Sequence, residues 1–143
     1  MKYKFIEANI DDLQLDLFNA RLPPWIQGKS EKDIIEWMLS DANFFDLITS
    51  IGKYDYYPGE PLLVIENPQG KYIVIAGNRR LACCKILNNP GLANVKHKRI
   101  NNRVGETKME YAPQIIPAFV FDKREDILVD LYYTPGPKWM RGS

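Results

Sequence analysis

The stretch Lys71-Tyr-Ile-Val-Ile-Ala-Gly-Asn-Arg-Arg-Leu-Ala-Cys-Cys-Lys-Ile-Leu87 decides how this chain is read. Its apolar, β-branched first part ends at Gly77, and a helix-forming run follows at once, opening on Arg79 and Arg80. A strand therefore turns sharply into a helix whose first turn carries two guanidiniums. Free backbone N–H groups and the positive end of the helix dipole face outward at such a turn. The arginines add charge-assisted, bidentate donors, so the corner suits an anion, and a nucleotide phosphate in particular.

Taken as structure alone, Arg79 and Arg80 would be surface charges at a helix start. Cations there meet the positive dipole end at a cost of about 0.3–1 kcal/mol each, which favours a role in binding anions. Asn78 reads two ways, as a helix N-cap serving the backbone or as a ligand contact. Gly77 fits a special backbone conformation, a close ligand approach, or both.

Outward from this corner, Asn67-Pro-Gln-Gly70 is a turn signal, making Leu62–Glu66 and Lys71–Ala76 the arms of a hairpin. The helix after Gly77 is expected to stop near Asn88-Asn-Pro90. Upstream, Phe5 to Leu17 suggests one or two short strands joined by a turn, and Asn19-Ala-Arg-Leu-Pro-Pro24 breaks regular structure. Ser30 precedes an acidic first turn and apolar residues at helical spacing. A second helix is predicted from Ala42 to Ile51, ending at Gly52. Downstream, Ile115–Phe121 reads as a strand and Arg124–Tyr133 as a helix. Without internal repeats, these elements predict one mixed α+β domain over residues 1–138. The last residues, 139–143, end in Arg-Gly-Ser and resemble a truncated end or a tag junction.

The chain has 143 residues, 45% apolar and 26% charged, enough for one domain with a real core. A net charge of +1 argues against a surface coated for nucleic acid, but leaves room for a local basic patch. No apolar run reaches membrane-spanning length and no signal peptide opens the chain, so a cytosolic protein is expected. The adjacent Cys83 and Cys84 point about 100° apart on a helix, which disfavours a bond between them, and they read as small core residues. The lone His97 offers no clustered metal-ligand set, and no metal-binding residues are assigned.

The order of elements and the Gly77-Asn-Arg-Arg-Leu-Ala82 corner resemble the ParB N-terminal-like domains of the ParB/sulfiredoxin superfamily. Asn19-Ala-Arg21 is similar to the family's first motif, Pro61-Leu-Leu-Val64 to its second, and Ile116-Pro-Ala-Phe-Val120 to the strand after the arginine corner. The resemblance spans most of residues 5–133 and implies a small mixed sheet packed with helices. It implies binding of CTP or another nucleoside triphosphate with Mg2+, the phosphates cradled by Gly77, Asn78, Arg79 and Arg80, with Arg21 assisting. It also implies a DNA-associated switch module in a longer protein, of the kind found in bacteria and phage. The family's Glu-Asn-x-x-Arg segment has no counterpart in Leu131-Tyr-Tyr-Thr-Pro-Gly-Pro-Lys138, a departure that bears on hydrolysis and on the choice of cytidine. Lys138 is the nearest substitute for a phosphate ligand. Sulfinic-acid reduction is not expected, since the family's catalytic cysteine position holds Asn78.

Other features carry weaker readings. The basic segment 96–108 reads either as a solvated loop or as a contact to a DNA backbone. Tyr54, Tyr56 and Tyr57 read as a cap over the core or as base-stacking rings, and Trp25 and Trp37 as core or edge packing. The chain has no Gly-x-x-x-x-Gly-Lys-Ser/Thr loop, and no serine–histidine arrangement for acyl transfer. Two alternatives to a binding module stay open. One is an enzyme using the same pocket, a weak NTPase, a nuclease or a small-molecule phosphotransferase, the last with Glu60 or Asp16 as its carboxylate base. The other is a DNA-binding module with a vestigial pocket.

Overall fold

A computed structural model of the chain describes residues 3–92 and 109–127. Five strands form one mixed sheet: β1 (Tyr3–Asn9), β2 (Leu13–Leu15), β3 (Leu62–Glu66), β4 (Tyr72–Ala76) and β5 (Ile115–Phe121), in the order β1-β5-β3-β4-β2. The β1–β5 and β3–β4 pairs are antiparallel, while β5–β3 and β4–β2 are parallel. Three helices accompany them, α1 (Glu31–Met38), α2 (Ala42–Tyr54) and α3 (Asn78–Asn88), and residues 124–127 open a further helical turn. The mixed α+β class expected from the sequence is the one observed.

Period-two alternation gives the sheet two apolar faces. Leu62, Val64, Val74, Ile116, Ala118 and Val120 face the helices and join the main core with Phe44, Ile48, Leu81 and Ile86. Leu63, Ile75, Ala76 and Phe121 face the other way, where Ile127 covers them; the neighbours Ile75 and Ala76 share that side because β4 bulges opposite Leu63 and Val64. The middle of helix α3, from Leu81 to Leu87, is buried on nearly all sides except at Lys85, packed against α2, β2 and β4. Cys83 and Cys84 are fully buried there, as core-filling residues would be.

The hairpin and the strand Ile115–Phe121 fall where the sequence places them, and the Phe5–Leu17 stretch holds two strands. These two do not pair with each other: β1 and β2 lie at opposite edges of the sheet. Ser30 caps α1 as expected, its hydroxyl accepting from the Asp33 N–H at 3.1 Å. Trp37 packs against the core, but Trp25 is 70% exposed, contrary to its expected packing role. Tyr56 is buried while Tyr54 and Tyr57 are exposed, so only one of the three caps the core. The basic segment 96–108 and the end of the chain, including Lys138 and residues 139–143, lie outside the described residues.

Helix α2 does not end at Gly52. It runs through to Tyr54 and is capped by Asp55, with φ +72°. Gly52 is bare because another segment crosses it. A Cβ there would collide with Met109 Sδ and approach Leu87 Cδ2 to 3.1 Å, and the Gly52 carbonyl accepts from the Glu110 and Tyr111 N–H groups at 2.9 and 3.0 Å. Alanine is the better helix former by about 1 kcal/mol, but overpacking costs roughly 1–3 kcal/mol. Gly52→Ala is therefore expected to lower stability by about 1 kcal/mol in urea denaturation. A stabilised variant would mean that Met109 swings aside freely.

Candidate functional site

The site grows from the junction of β4 and α3. Gly77 takes φ +103°, ψ +20°, a conformation L-residues avoid, and its carbonyl accepts the first α3 hydrogen bond from Leu81 N–H. A Cβ on Gly77 would lie 2.5 Å from Leu62 Cδ2, so glycine is required here by torsion and by space. Gly77, not Asn78, is the cap residue, and it has no side chain to lay over the first-turn amides.

Asn78 does different work. Its Nδ2 donates to the Val74 carbonyl at 2.9 Å and its Oδ1 accepts from the Asp16 N–H at 3.0 Å. Both amide ends are thus committed to the backbones of β4 and of the residue just after β2, where the two strands diverge. Asn78 holds the corner's shape.

Asn19 fastens the loop in a similar way. Its Nδ2 donates to the Ile75 carbonyl at 3.1 Å, and its Oδ1 accepts from the Arg21 N–H at 2.9 Å. The segment Asp16–Arg21 is therefore sewn along the end of β4, and Arg21 stands two residues past the Asn19 anchor on an exposed turn. The structure ties Asn19 to Ile75 at the end of β4, two residues before Gly77 and 56 residues away in the chain.

Each arginine has a carboxylate partner: for Arg80 it is Glu60, a residue expected at this pocket, and for Arg79 it is Asp41, which sequence reasoning missed. Arg79 Nη1 lies 3.3 Å from Asp41 Oδ2, and its guanidinium sits 5.5 Å from the centre of the buried Phe44 ring. Asp41 is also the N-cap of α2, accepting from Asn43 N–H at 2.9 Å. Arg80 pairs with Glu60 in a more enclosed setting. A half-exposed pair such as Arg79–Asp41 contributes little to stability. Each cation at the positive end of α3 is nonetheless balanced by a carboxylate, so the position is not as unrewarded as the sequence suggests.

Beneath Arg80 lies a neutral floor. The buried Tyr56 hydroxyl donates to the Glu60 carbonyl at 2.6 Å, fixing the turn that presents Glu60. Burial raises the Tyr56 hydroxyl well above its ordinary range, with Arg80 pulling the other way. Burial likewise pushes the Cys84 thiol up to about 12, again opposed by Arg80. Both groups stay protonated at neutral pH, leaving Glu60 as the carboxylate that answers Arg80. Among the described residues no three His, Cys, Asp or Glu side chains converge as a metal cage.

Arg124 is a further member that the sequence gives no signal for. Its guanidinium donates to Asp16 Oδ2 at 2.6 Å and to Asp16 Oδ1 at 3.2 Å, across 108 residues of chain. These hydrogen bonds hold Arg124 above its ordinary pKa. Asp16 is only 4% exposed, the one buried charged residue among those described. A carboxylate so occupied is a structural anchor and is not free to act as a base.

No known protein-family model matches this chain, and no curated protein sequence matches it. Among solved structures it is similar to the C-terminally truncated chromosome-partitioning protein ParB from Caulobacter crescentus, complexed with CTP-gamma-S. The match has a TM-score of 0.50 at 18% identity, covering 94% of this chain and 55% of that one. The likeness is one of fold, and this chain spans about half the length of that neighbour. No helix among the described residues is long and apolar enough to cross a membrane.

Proposed function

We propose that this chain is a nucleotide-binding module of ParB-like fold that holds a nucleoside triphosphate at the Gly77–Arg80 corner. The observation that carries the proposal is the start of α3: a left-handed glycine cap with no side chain over the first-turn amides, flanked by two guanidiniums. That arrangement favours a compact anion with several oxygens. In this reading residues 1–138 form the domain. It serves as a DNA-associated switch within a longer protein, and Arg21 closes over the phosphates from the Asn19 turn.

Entry of a phosphate requires Arg79 and Arg80 to exchange carboxylate partners for phosphate oxygens. Arg79 can do this at little cost, since its pair with Asp41 is half exposed. Arg80 and Glu60 are more enclosed, and Glu60 would repel a naked phosphate. Neutralising charge for the phosphates would come from a bound Mg2+ ion. Glu60 is the residue of this chain suited to hold it, and the other ligands would be phosphate oxygens and water, as is usual for this cation.

Calorimetric titration with CTP, ATP and GTP, each with Mg2+, tests the reading. Saturable binding is expected, and Arg79→Ala should lose roughly 1.5–3 kcal/mol of it if one charged contact is removed. Unchanged affinity in a folded Arg79→Ala variant would reject the assignment.

A second reading, a phosphotransferase in the same pocket, is favoured by Glu60 beside Arg80, where a carboxylate could accept a proton from an attacking hydroxyl. Time-dependent release of phosphate or transfer product, abolished in Glu60→Gln while binding persists, would select it. Strong, salt-sensitive DNA binding without nucleotide would instead select a DNA-binding module with a vestigial pocket.

A further inference from the structure

Asp16 and Arg124 have no part in the phosphate contacts just proposed, yet Asp16 is the one buried charged residue among those described, and the part-exposed Arg124 is its partner. A buried carboxylate is costly unless paired and hydrogen-bonded. Asp16 meets that condition through the two-pronged Arg124 contact, supplemented by the Phe18 N–H at 3.3 Å. Arg124 is at the first turn of its own helix, where a cation is disfavoured, so its partner and not its helix explains its place.

What the pair holds is specific. The Asp16 N–H is the group that Asn78 Oδ1 accepts from, and the Asp16 carbonyl accepts from Asn19 N–H at 3.1 Å. From Asp16 the connections therefore run to Asn78 at the corner and through Asn19 to Arg21. Without the Arg124 clamp, the Asp16 carboxylate would seek water and draw the residues after β2 away from Asn78.

We propose that Asp16 and Arg124 are a positioning pair for the anion corner, fixing Asn78 and the Asp16–Arg21 turn in their binding geometry. The consequence is coupling: ligand at the corner and docking of the helical turn at 124–127 stabilise each other. This inference rests on the corner being the anion site.

The test uses the whole 143-residue chain, with Mg-CTP and Mg-tripolyphosphate as probes. Arg124→Lys keeps the charge and loses the planar fork. It is expected to melt cooperatively yet bind the probes about 10-fold more weakly, an ordinary size for coupling between sites. If Arg124→Lys does not fold, the neutral pair Asp16→Asn with Arg124→Gln takes its place, with the same expectation. Hydrogen exchange on the wild-type chain gives a reading that needs no substitution. Added Mg-tripolyphosphate should slow exchange of the Asp16 and Asn19 amides and of the amides at 124–127.

Wild-type affinity in the folded variant, or unchanged exchange at 124–127 when the corner is occupied, overturns the proposal and leaves the corner assignment standing. A wild-type chain that binds neither probe overturns both, and is told apart by the silence of the unsubstituted protein.

Discussion

Raising the pH from 8 to 11 under reducing conditions is expected to destabilise this protein by several kcal/mol. Three acidic groups lie together under the corner: Tyr56, Cys83 and Cys84. Burial raises all three, Cys84 to about 12 and Cys83 well above its ordinary 9.0. In the unfolded chain the thiols ionise near 9 and the phenol near 10, while in the folded chain they stay protonated. The folded pKa values exceed the unfolded ones, so their stabilisation is complete below pH 9 and is lost as pH rises through the folded values. Each group that stays protonated while its unfolded counterpart ionises removes roughly 1.4 kcal/mol per pH unit, so the three together remove several kcal/mol by pH 11. That rivals the total stability of a typical domain, about 5–15 kcal/mol. Urea denaturation at half-unit intervals of pH would follow the decline. Cys84→Ala should reduce its slope by about a third near pH 11, whatever it does to stability at pH 8. A flat profile from pH 8 to 11 would mean that the thiols and the phenol reach water without unfolding.

Gly77→Ala carries the next largest expected effect. Alanine at φ +103° pays the left-handed penalty of about 1–2 kcal/mol. Its methyl would also press on Leu62, which is fully buried, adding roughly 1–3 kcal/mol. A loss of about 2–5 kcal/mol in urea denaturation is therefore expected. Leu62→Ala tests the steric part, because trimming Leu62 should make the Gly77 substitution less damaging than in the wild-type background. Additive effects of the two substitutions would assign the whole cost to backbone torsion. Loss of anion binding in Gly77→Ala at a temperature where it stays folded would add that the amides of α3 had been turned away from the ligand.

What could be read from the sequence was whatever has a local cause. The β3–β4 hairpin announces itself through Asn67–Gly70, and the bounds of α3 through Gly77 and Pro90, because turn chemistry acts within a few residues. The grouping of Asn19, Arg21 and the Gly77–Arg80 corner came from motif resemblance, since no local rule joins segments so far apart. Asn78 was legible as an important residue but not in its role: local propensity offers an N-cap, whereas its amide is engaged by Val74 of β4 and by Asp16 just after β2. Gly52 misled for a related reason. A glycine that ends a helix and one that makes room for Met109 look alike until the crossing segment is in place. The carboxylate partners of Arg79, Arg80 and Arg124 are tertiary facts throughout. Asp41 reads locally as a helix cap, and Asp16 and Arg124 carry no mark that one will bury the other.

The strand order has a kinetic consequence. Tyr3 pairs with Phe121 and Asn9 with Ile115, and β5 lies between β1 and β3. On a ribosome, the first strand made must therefore wait for the last described one before it gains its neighbour, while the β3–β4 hairpin and α3 can form as soon as they emerge. Until residue 121 is available, β3 presents a raw edge, and Tyr3 and Phe5 lack the Phe119 and Phe121 rings they pack against. Closing so long a loop is slow, and unpaired apolar strands are sticky in the meantime. Nascent or truncated chains lacking β5 should thus need chaperone protection, and addition of the Ile115–Phe121 strand is the step that converts an aggregation-prone half-sheet into a finished one.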